Sequence, residues 1–186
     1  MRTNPTVDKA KAAVYAEVLL EAGRQAGTDS ALFELTGQFE QLLKTVRGSL
    51  ELRSALSDQG VDPSVRRTIA NDVFAGLRPE LLVVFGTMVE RDDLRLLSRT
   101  VARFVHLAED ALGAVIIDVT TVVPLSDELR FEIIDKYAAQ LGTGVLLREH
   151  KDPALIGGIV LSMHGKRIDA SVSSQLENAR VELSRQ

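Results

Sequence analysis

The sequence predicts a mainly helical α+β chain, with an N-terminal six-helix bundle over residues 1–112 followed by a small α/β domain over residues 113–186. Two observations carry this reading. Apolar residues recur three and four apart from Pro5 to about Leu112, with Gly, Pro, Ser or Asp at each break. At Gly113 that period gives way to a β-rich run, Ala114 to Val123.

The first helix is expected from about Val7 to Ala22, stopping near Gly23. It is apolar over more than one stripe, with only Lys11 and Glu17 as polar interruptions between Ala10 and Leu20. Either it is a central helix buried all round, or one face is left for an amphipathic partner helix. The second carries Leu32, Leu35, Phe39, Leu42 and Val46 on one stripe and ends at Gly48. Leu50 to Leu56 gives a short third. Asp62-Pro63 opens a fourth, the Asp oxygen capping and the Pro losing no helical hydrogen bond. Pro79 starts a fifth, with Leu81, Phe85, Met88 and Val89 on one face, and Leu94, Leu97, Val101, Phe104 and Ala108 define a sixth that Asp92 and Asp93 are expected to cap. Short connections imply antiparallel neighbours.

In the second domain, Pro124 ends the first strand and Ser126 caps a helix bearing Leu129, Ile133, Tyr137 and Leu141, with Asp127 and Glu128 in its first turn. Strands follow over Val145 to Glu149 and Ile159 to Met163, and a return through Ile168 turns at Gly165. A closing helix carries Val172, Leu176, Ala179 and Leu183 on one face.

Composition narrows the chemistry. The 186 residues are 45% hydrophobic, 26% charged and only 4% aromatic, which describes a globular protein packed on aliphatic side chains. With no cysteine there is no disulfide, thiolate metal site or thiol redox chemistry. A formal net charge of -4 argues against general nucleic-acid binding, which needs a basic surface. The N-terminus does not read as a secretory signal, and no run approaches the ~18 apolar residues of a membrane span.

No catalytic, cofactor or metal site is legible. His106, His150 and His164 have no ligand-pair spacing. Gly142-Thr143-Gly144 follows a helix, and Leu147 stands where a dinucleotide loop needs its third glycine, so it reads as a helix-to-strand turn. Gly165-Lys166 resembles part of a phosphate loop, yet Met163 stands five after Gly158, where glycine is needed, and Arg167 replaces the magnesium-binding hydroxyl. Glu90, Asp92 and Asp93 cluster at a helix junction, which helix capping explains without acid-base chemistry. Arg91, Arg95, Arg99 and Arg103 drift only about 40° per step and so share one helix face. A solvated face opposite the apolar stripe is the preferred account; a helical nucleic-acid-binding or regulatory module using that face is the alternative.

Asp152-Pro153-Ala154-Leu155-Ile156-Gly157-Gly158-Ile159-Val160-Leu161, followed by Ile168-Asp169-Ala170-Ser171-Val172 and Gln175-Leu176-Glu177, resembles the C-terminal signature of the ATP synthase δ subunit family, whose mitochondrial member is the oligomycin-sensitivity-conferring protein. Val119-Thr120-Thr121-Val122-Val123-Pro124-Leu125-Ser126 and Ala13-Val14-Tyr15-Ala16-Glu17-Val18-Leu19-Leu20 are similar to the family's strand-to-helix passage and first helix. The chain departs from the family at Arg91-Asp92-Asp93-Leu94, where a glycine-arginine pair is common, and at Ala170, where glycine is common.

The resemblance implies a non-catalytic stator subunit of a proton-translocating F-type ATP synthase, at the cytoplasmic face of a bacterial plasma membrane, touching the membrane only through the complex. It implies that residues 1–112 bind the catalytic head and residues 113–186 meet the b-type subunits of the peripheral stalk. The first and fifth helices would form a groove for the N-terminal helix of an α subunit, lined by Tyr15, Val18, Leu19, Phe85 and Val89. The signature residues Asp152, Pro153, Ile156, Gly157, Gly158, Asp169, Ser171 and Leu176 would serve the C-terminal domain. No cofactor and no nucleic acid is expected among its partners.

Overall fold

The computed structural model describes residues 4–172 and residue 174. The chain folds as two compact units, Met1–Leu112 and Gly113–Gln186. The whole is mainly helical, with one small sheet in the second unit.

The first unit holds α1 (Pro5–Gln25), α2 (Asp29–Gly48), α3 (Leu50–Ser57), α4 (Pro63–Val73), α5 (Pro79–Glu90) and α6 (Leu97–Leu112). Local chemistry fixes most of the ends. The side chains of Asn4, Thr28, Ser49 and Asp62 each accept a backbone N–H of the first turn, and Pro5, Pro63 and Pro79 stand where no helical hydrogen bond is lost.

Two boundaries differ from the sequence reading. α1 begins at Pro5, because Asn4 supplies the cap, and it runs past Gly23 to Gln25. Gly23 is a close-approach residue rather than a stop: a Cβ there would lie 2.9 Å from Leu35 Cδ1, so its absence lets α1 sit against α2. The sixth helix opens as a 3-10 turn at Leu94–Leu96 before α6 proper. Asp93 stands at that N-cap position but makes no side-chain capping bond, since its carboxylate is turned inward.

The core of this unit is aliphatic with three aromatic keystones. Phe39, Phe85 and Phe104 are fully buried, Phe39 and Phe104 meeting edge to face with centroids 5.8 Å apart, and Phe74 and Phe85 doing the same at 5.3 Å. Leu19, Leu35, Leu42, Leu81, Met88 and Val89 close around them.

In the second unit β1 (Ala114–Thr121), α7 (Asp127–Leu141), β2 (Gly144–Lys151), β3 (Gly158–Met163) and β4 (Lys166–Ser171) build a sheet in the order β2-β1-β3-β4. β1 and β2 are parallel, joined through α7, while β3 is antiparallel to both β1 and β4. β1 is two residues shorter than the β-branched run, because the chain bends after Thr121, whose hydroxyl donates to the Val123 carbonyl at 2.6 Å. Ser126 Oγ accepts Leu129 N at 3.3 Å to start α7, and Gly142 in the left-handed region ends it. His164 and Gly165, both at positive φ, make the tight β3–β4 turn. Ile117, Val119, Leu125, Ile133, Tyr137 and Val145 form a separate small core. Of the closing helix expected from sequence, Leu176, Ala179 and Leu183 lie outside the described residues.

Candidate functional site

α1 owes its breadth to an outward apolar line. At about 100° per residue, Val14 and Val18 fall within about 20° of Val7 around the helix axis, and Val14, Val18 and Val7 are 55%, 52% and 48% exposed, respectively. Ala12, Ala16, Leu19 and Gly23 occupy the inward side. On α5 the exposed counterpart is Val83. Both readings of α1 are thereby decided: one face is core and one is free.

Of the five groove residues inferred from resemblance, only Val18 lies on the surface. Leu19, Phe85 and Val89 are completely buried, and Tyr15 nearly so. They pack beneath the surface line instead of lining it. The apolar spacing of Val7, Val14 and Val18 was the sequence signal that could have pointed to the exposed set.

The structure brings together a polar clamp that sequence reasoning missed. Asp93, only 2% exposed, receives Lys11 Nζ at 3.0 and 3.1 Å and the Tyr15 hydroxyl at 3.0 Å. Burial raises the Tyr15 hydroxyl pKa, and its bond to Asp93 raises it further. One turn earlier on α1, Asp8 takes a two-pronged bond from Arg95 that holds its carboxyl below the ordinary range. α1 is thus tied by charge to the α5–α6 junction.

The other carboxylates of that junction are spoken for by cations. Glu90 pairs with Arg67 at 2.9 Å, and Asp92 with the buried Arg66 at 2.6 Å. Asp92 sits at φ 60, in the left-handed region that favours glycine, and it does not cap the following helix. Each acid faces its own base, which is the arrangement of a structural network and not of a general acid. Among the described residues no group of three or more His, Cys, Asp or Glu could hold a metal ion. Among the same residues, no helix is long and apolar enough to cross a membrane.

The four arginines do not act as one stripe. Arg95 is committed to Asp8, and Arg91 is near enough to the Tyr15 hydroxyl for its charge to offset part of that group's upward shift. Arg99 and Arg103 project outward on α6.

In the second unit the signature residues gather at one end of the sheet, where β1, β2 and β4 finish and β3 begins. Asp152 N donates to Thr121 O at 2.9 Å, and its Oδ1 accepts Ala154 N at 2.9 Å, forming the turn that contains Pro153. Ile156 projects into solvent. Gly157 O accepts Val172 N at 3.0 Å, so the glycine pair lies directly on the end of β4. Gly158 has φ +85, and a Cβ there would meet Ala170 O at 2.5 Å. Asp169 Oδ1 accepts Ser171 N at 3.0 Å; the Ser171 hydroxyl first and this N–H second bring its carboxyl down to about 2. Ser171 Oγ in turn accepts Ser174 N. Leu176 lies outside the described residues.

On β1, burial pushes the Asp118 carboxyl up, but Arg148 at 2.6 Å and His150 at 2.8 Å outweigh it, and the net shift is downward.

A family model described as ATP synthase delta (OSCP) subunit matches residues 12–183. The ATP synthase subunit delta of Prochlorococcus marinus (strain MIT 9301) is 31% identical over 173 residues, covering 92% of this chain and 94% of that one. That of Anaeromyxobacter sp. (strain Fw109-5) is 33% identical over 174 residues, covering 91% of this chain and 94% of its own. A chain of the Toxoplasma gondii mitochondrial ATP synthase hexamer aligns more loosely, at 21% identity and a TM-score of 0.45, over 92% of this chain and 96% of that one.

Proposed function

The chain belongs to the ATP synthase delta (OSCP) subunit family, and on that premise we propose that it links the catalytic head of an F-type ATP synthase to the b-type chains of the peripheral stalk. It is a non-catalytic stator subunit, part of the apparatus of ATP synthesis and hydrogen ion transport. Its six N-terminal helices act as one bundle that seats the N-terminal helix of an α subunit, while residues 113–186 meet the stalk. This chain is peripheral to the membrane and works at the cytoplasmic face of a bacterial plasma membrane, reaching it only through its partners.

The observation that carries the reading is the family match across residues 12–183, which takes in parts of both compact units. The physics of the task agrees with it. A rotor turning inside the head exerts torque on the head, so a stator needs firm docking surfaces and no reaction chemistry. The seat for the α-subunit helix is the line Val7, Val14 and Val18 with Val83, which keeps Val18 of the five residues named from resemblance and leaves out the buried Tyr15, Leu19, Phe85 and Val89, because an apolar anchor must be exposed before it can be buried by a partner. The nucleic-acid alternative finds no support in these relationships.

The test is reconstitution. Membranes stripped of this subunit are supplied with purified full chain, and head attachment and proton-driven ATP synthesis are measured. Restoration of both is expected, with Val18→Asp restoring neither fully. Stripped membranes that retain coupled synthesis without the chain would refute the assignment.

A further inference from the structure

The valine line of α1 has flanks of opposite charge. Taking Val7 as the origin and about 100° per residue, Asp8 and Tyr15 lie at about +100° and +80°, and Glu17 and Glu21 at about −80° and −40°. The positive side faces cations. Arg95 bonds Asp8 there, Arg91 lies beside the Tyr15 hydroxyl, and Arg99 is near enough to Asp8 that its charge helps hold that carboxyl low. The negative side shows two exposed carboxylates, Glu17 and Glu21, with one exposed cation, Arg24, farther round at about −100° in the last turn. The seam between them is apolar at Val7, Val14 and Val18, all about half exposed.

We infer that this seam takes an amphipathic helix with one acidic and one basic flank, and that Arg91 and Arg95 on one side and Glu17 and Glu21 on the other fix the direction in which it lies. The inference rests on the docking reading above and adds to it the charge and polarity of the occupant. An apolar stripe alone specifies burial but not direction, because a helix turned end for end still covers it. Charges flanking the stripe break that equivalence, as the positions beside a coiled-coil seam do. Turning the occupant around exchanges its flanks, so one direction joins unlike charges and the other sets glutamate against glutamate and arginine against a cation. Both flanks lie at the rim of the seam, where charge governs orientation and association rate more than affinity.

Two synthetic amphipathic peptides of about 20 residues, a length that spans α1, share one apolar face and exchange their acidic and basic flanks. Each carries a nitroxide at its N-terminus, and broadening of the Val7 and Val18 methyl resonances of the full chain is followed. One peptide is expected to broaden Val7 and the other Val18, so that they run in opposite directions. In the variant Arg91→Glu with Glu17→Lys and Glu21→Lys, which leaves Arg95 holding Asp8, the two assignments should exchange. The directional preference should be at least about fivefold at low salt and collapse near about 0.5 M, where charges are screened. Peptides that both run the same way, that run both ways equally, or that ignore the charge exchange overturn the inference while leaving docking on α1 intact. Failure of either peptide to broaden any of the valines removes the docking site itself, and the inference with it. Circular dichroism of the variant checks that its fold is retained.

Discussion

The Tyr15 hydroxyl donates to an Asp93 carboxylate oxygen at 3.0 Å, joining positions 78 residues apart at a point where both side chains are buried. Lys11 completes the contact with its ammonium, its side chain remaining 47% exposed. A buried carboxylate is costly unless paired, so the three residues stand or fall together.

Removing either partner should therefore destabilise the first unit. Tyr15→Phe deletes a single bond to a charged acceptor and should cost about 1–3 kcal/mol. Asp93→Ala leaves Tyr15 without its acceptor and should cost a similar amount, because Lys11 can turn to water. Urea unfolding followed by helical circular dichroism measures both. A double variant that costs the sum of the two singles would show that the bond contributes nothing of its own.

Two valines that look equivalent in sequence should behave in opposite ways. Val89 is completely buried and Val18 is half exposed. Val89→Asp places an unpaired charge in the core and should unfold the first unit or cost several kcal/mol. Val18→Asp should leave stability within about 0.5 kcal/mol and weaken binding of the cognate α-subunit N-terminal peptide. Thermal melts and peptide titrations separate the cases, and a Val18→Asp chain that binds like the parent would remove α1 from the interface.

The contrast between these valines marks what sequence could and could not convey. Caps were legible because they are local: Asp62-Pro63 and Ser126 act on N–H groups two and three residues away. Periodicity separated helix from strand at Gly113 and gave the stripe of α2 correctly, since Leu32, Leu35, Phe39, Leu42 and Val46 are all buried. It could not tell which side of the broadly apolar α1 would remain uncovered, because that depends on where α2, α5 and α6 pack. Nor could it pair Asp93 with Tyr15 and Lys11. The carboxylate looked like a cap because capping is the short-range option, and a partner on a distant helix took it instead.

Asp169 should titrate far from an ordinary aspartate. Its carboxyl is held at about 2 in the folded chain, by the Ser171 hydroxyl foremost. A folded value below the unfolded one means that the charged form is favoured by folding. The contribution is therefore complete above about pH 4, the unfolded range, and is lost as the pH falls through about 2. Carboxyl-carbon resonances should place the midpoint near the lower value, and Ser171→Ala should move it upward. A midpoint unchanged by Ser171→Ala would assign the shift to other neighbours.

Gly158→Val should damage the second unit and spare the first. The backbone there has φ +85, which a β-branched residue adopts only with strain, and a Cβ would lie 2.5 Å from Ala170 O and 2.8 Å from Ser171 Cα. Both obstacles are backbone, so no side chain can swing aside. β3 and β4 would have to separate where Gly158 pairs with Ser171, and the Val172 N–H bond to Gly157 O would go with them. Even Gly158→Ala introduces the clashing atom, so it should cost nearly as much as valine, unlike an ordinary turn glycine such as Gly165, where a Cβ meets nothing. Amide hydrogen exchange is the discriminating measurement. Protection should fall along β3 and β4 and persist at Leu19, Phe85 and Phe104 in the separate core of the first unit. Uniform loss of protection in both units would show that they unfold as one, and full protection of β4 in Gly158→Ala would mean that the close approach at Ala170 is not obligatory.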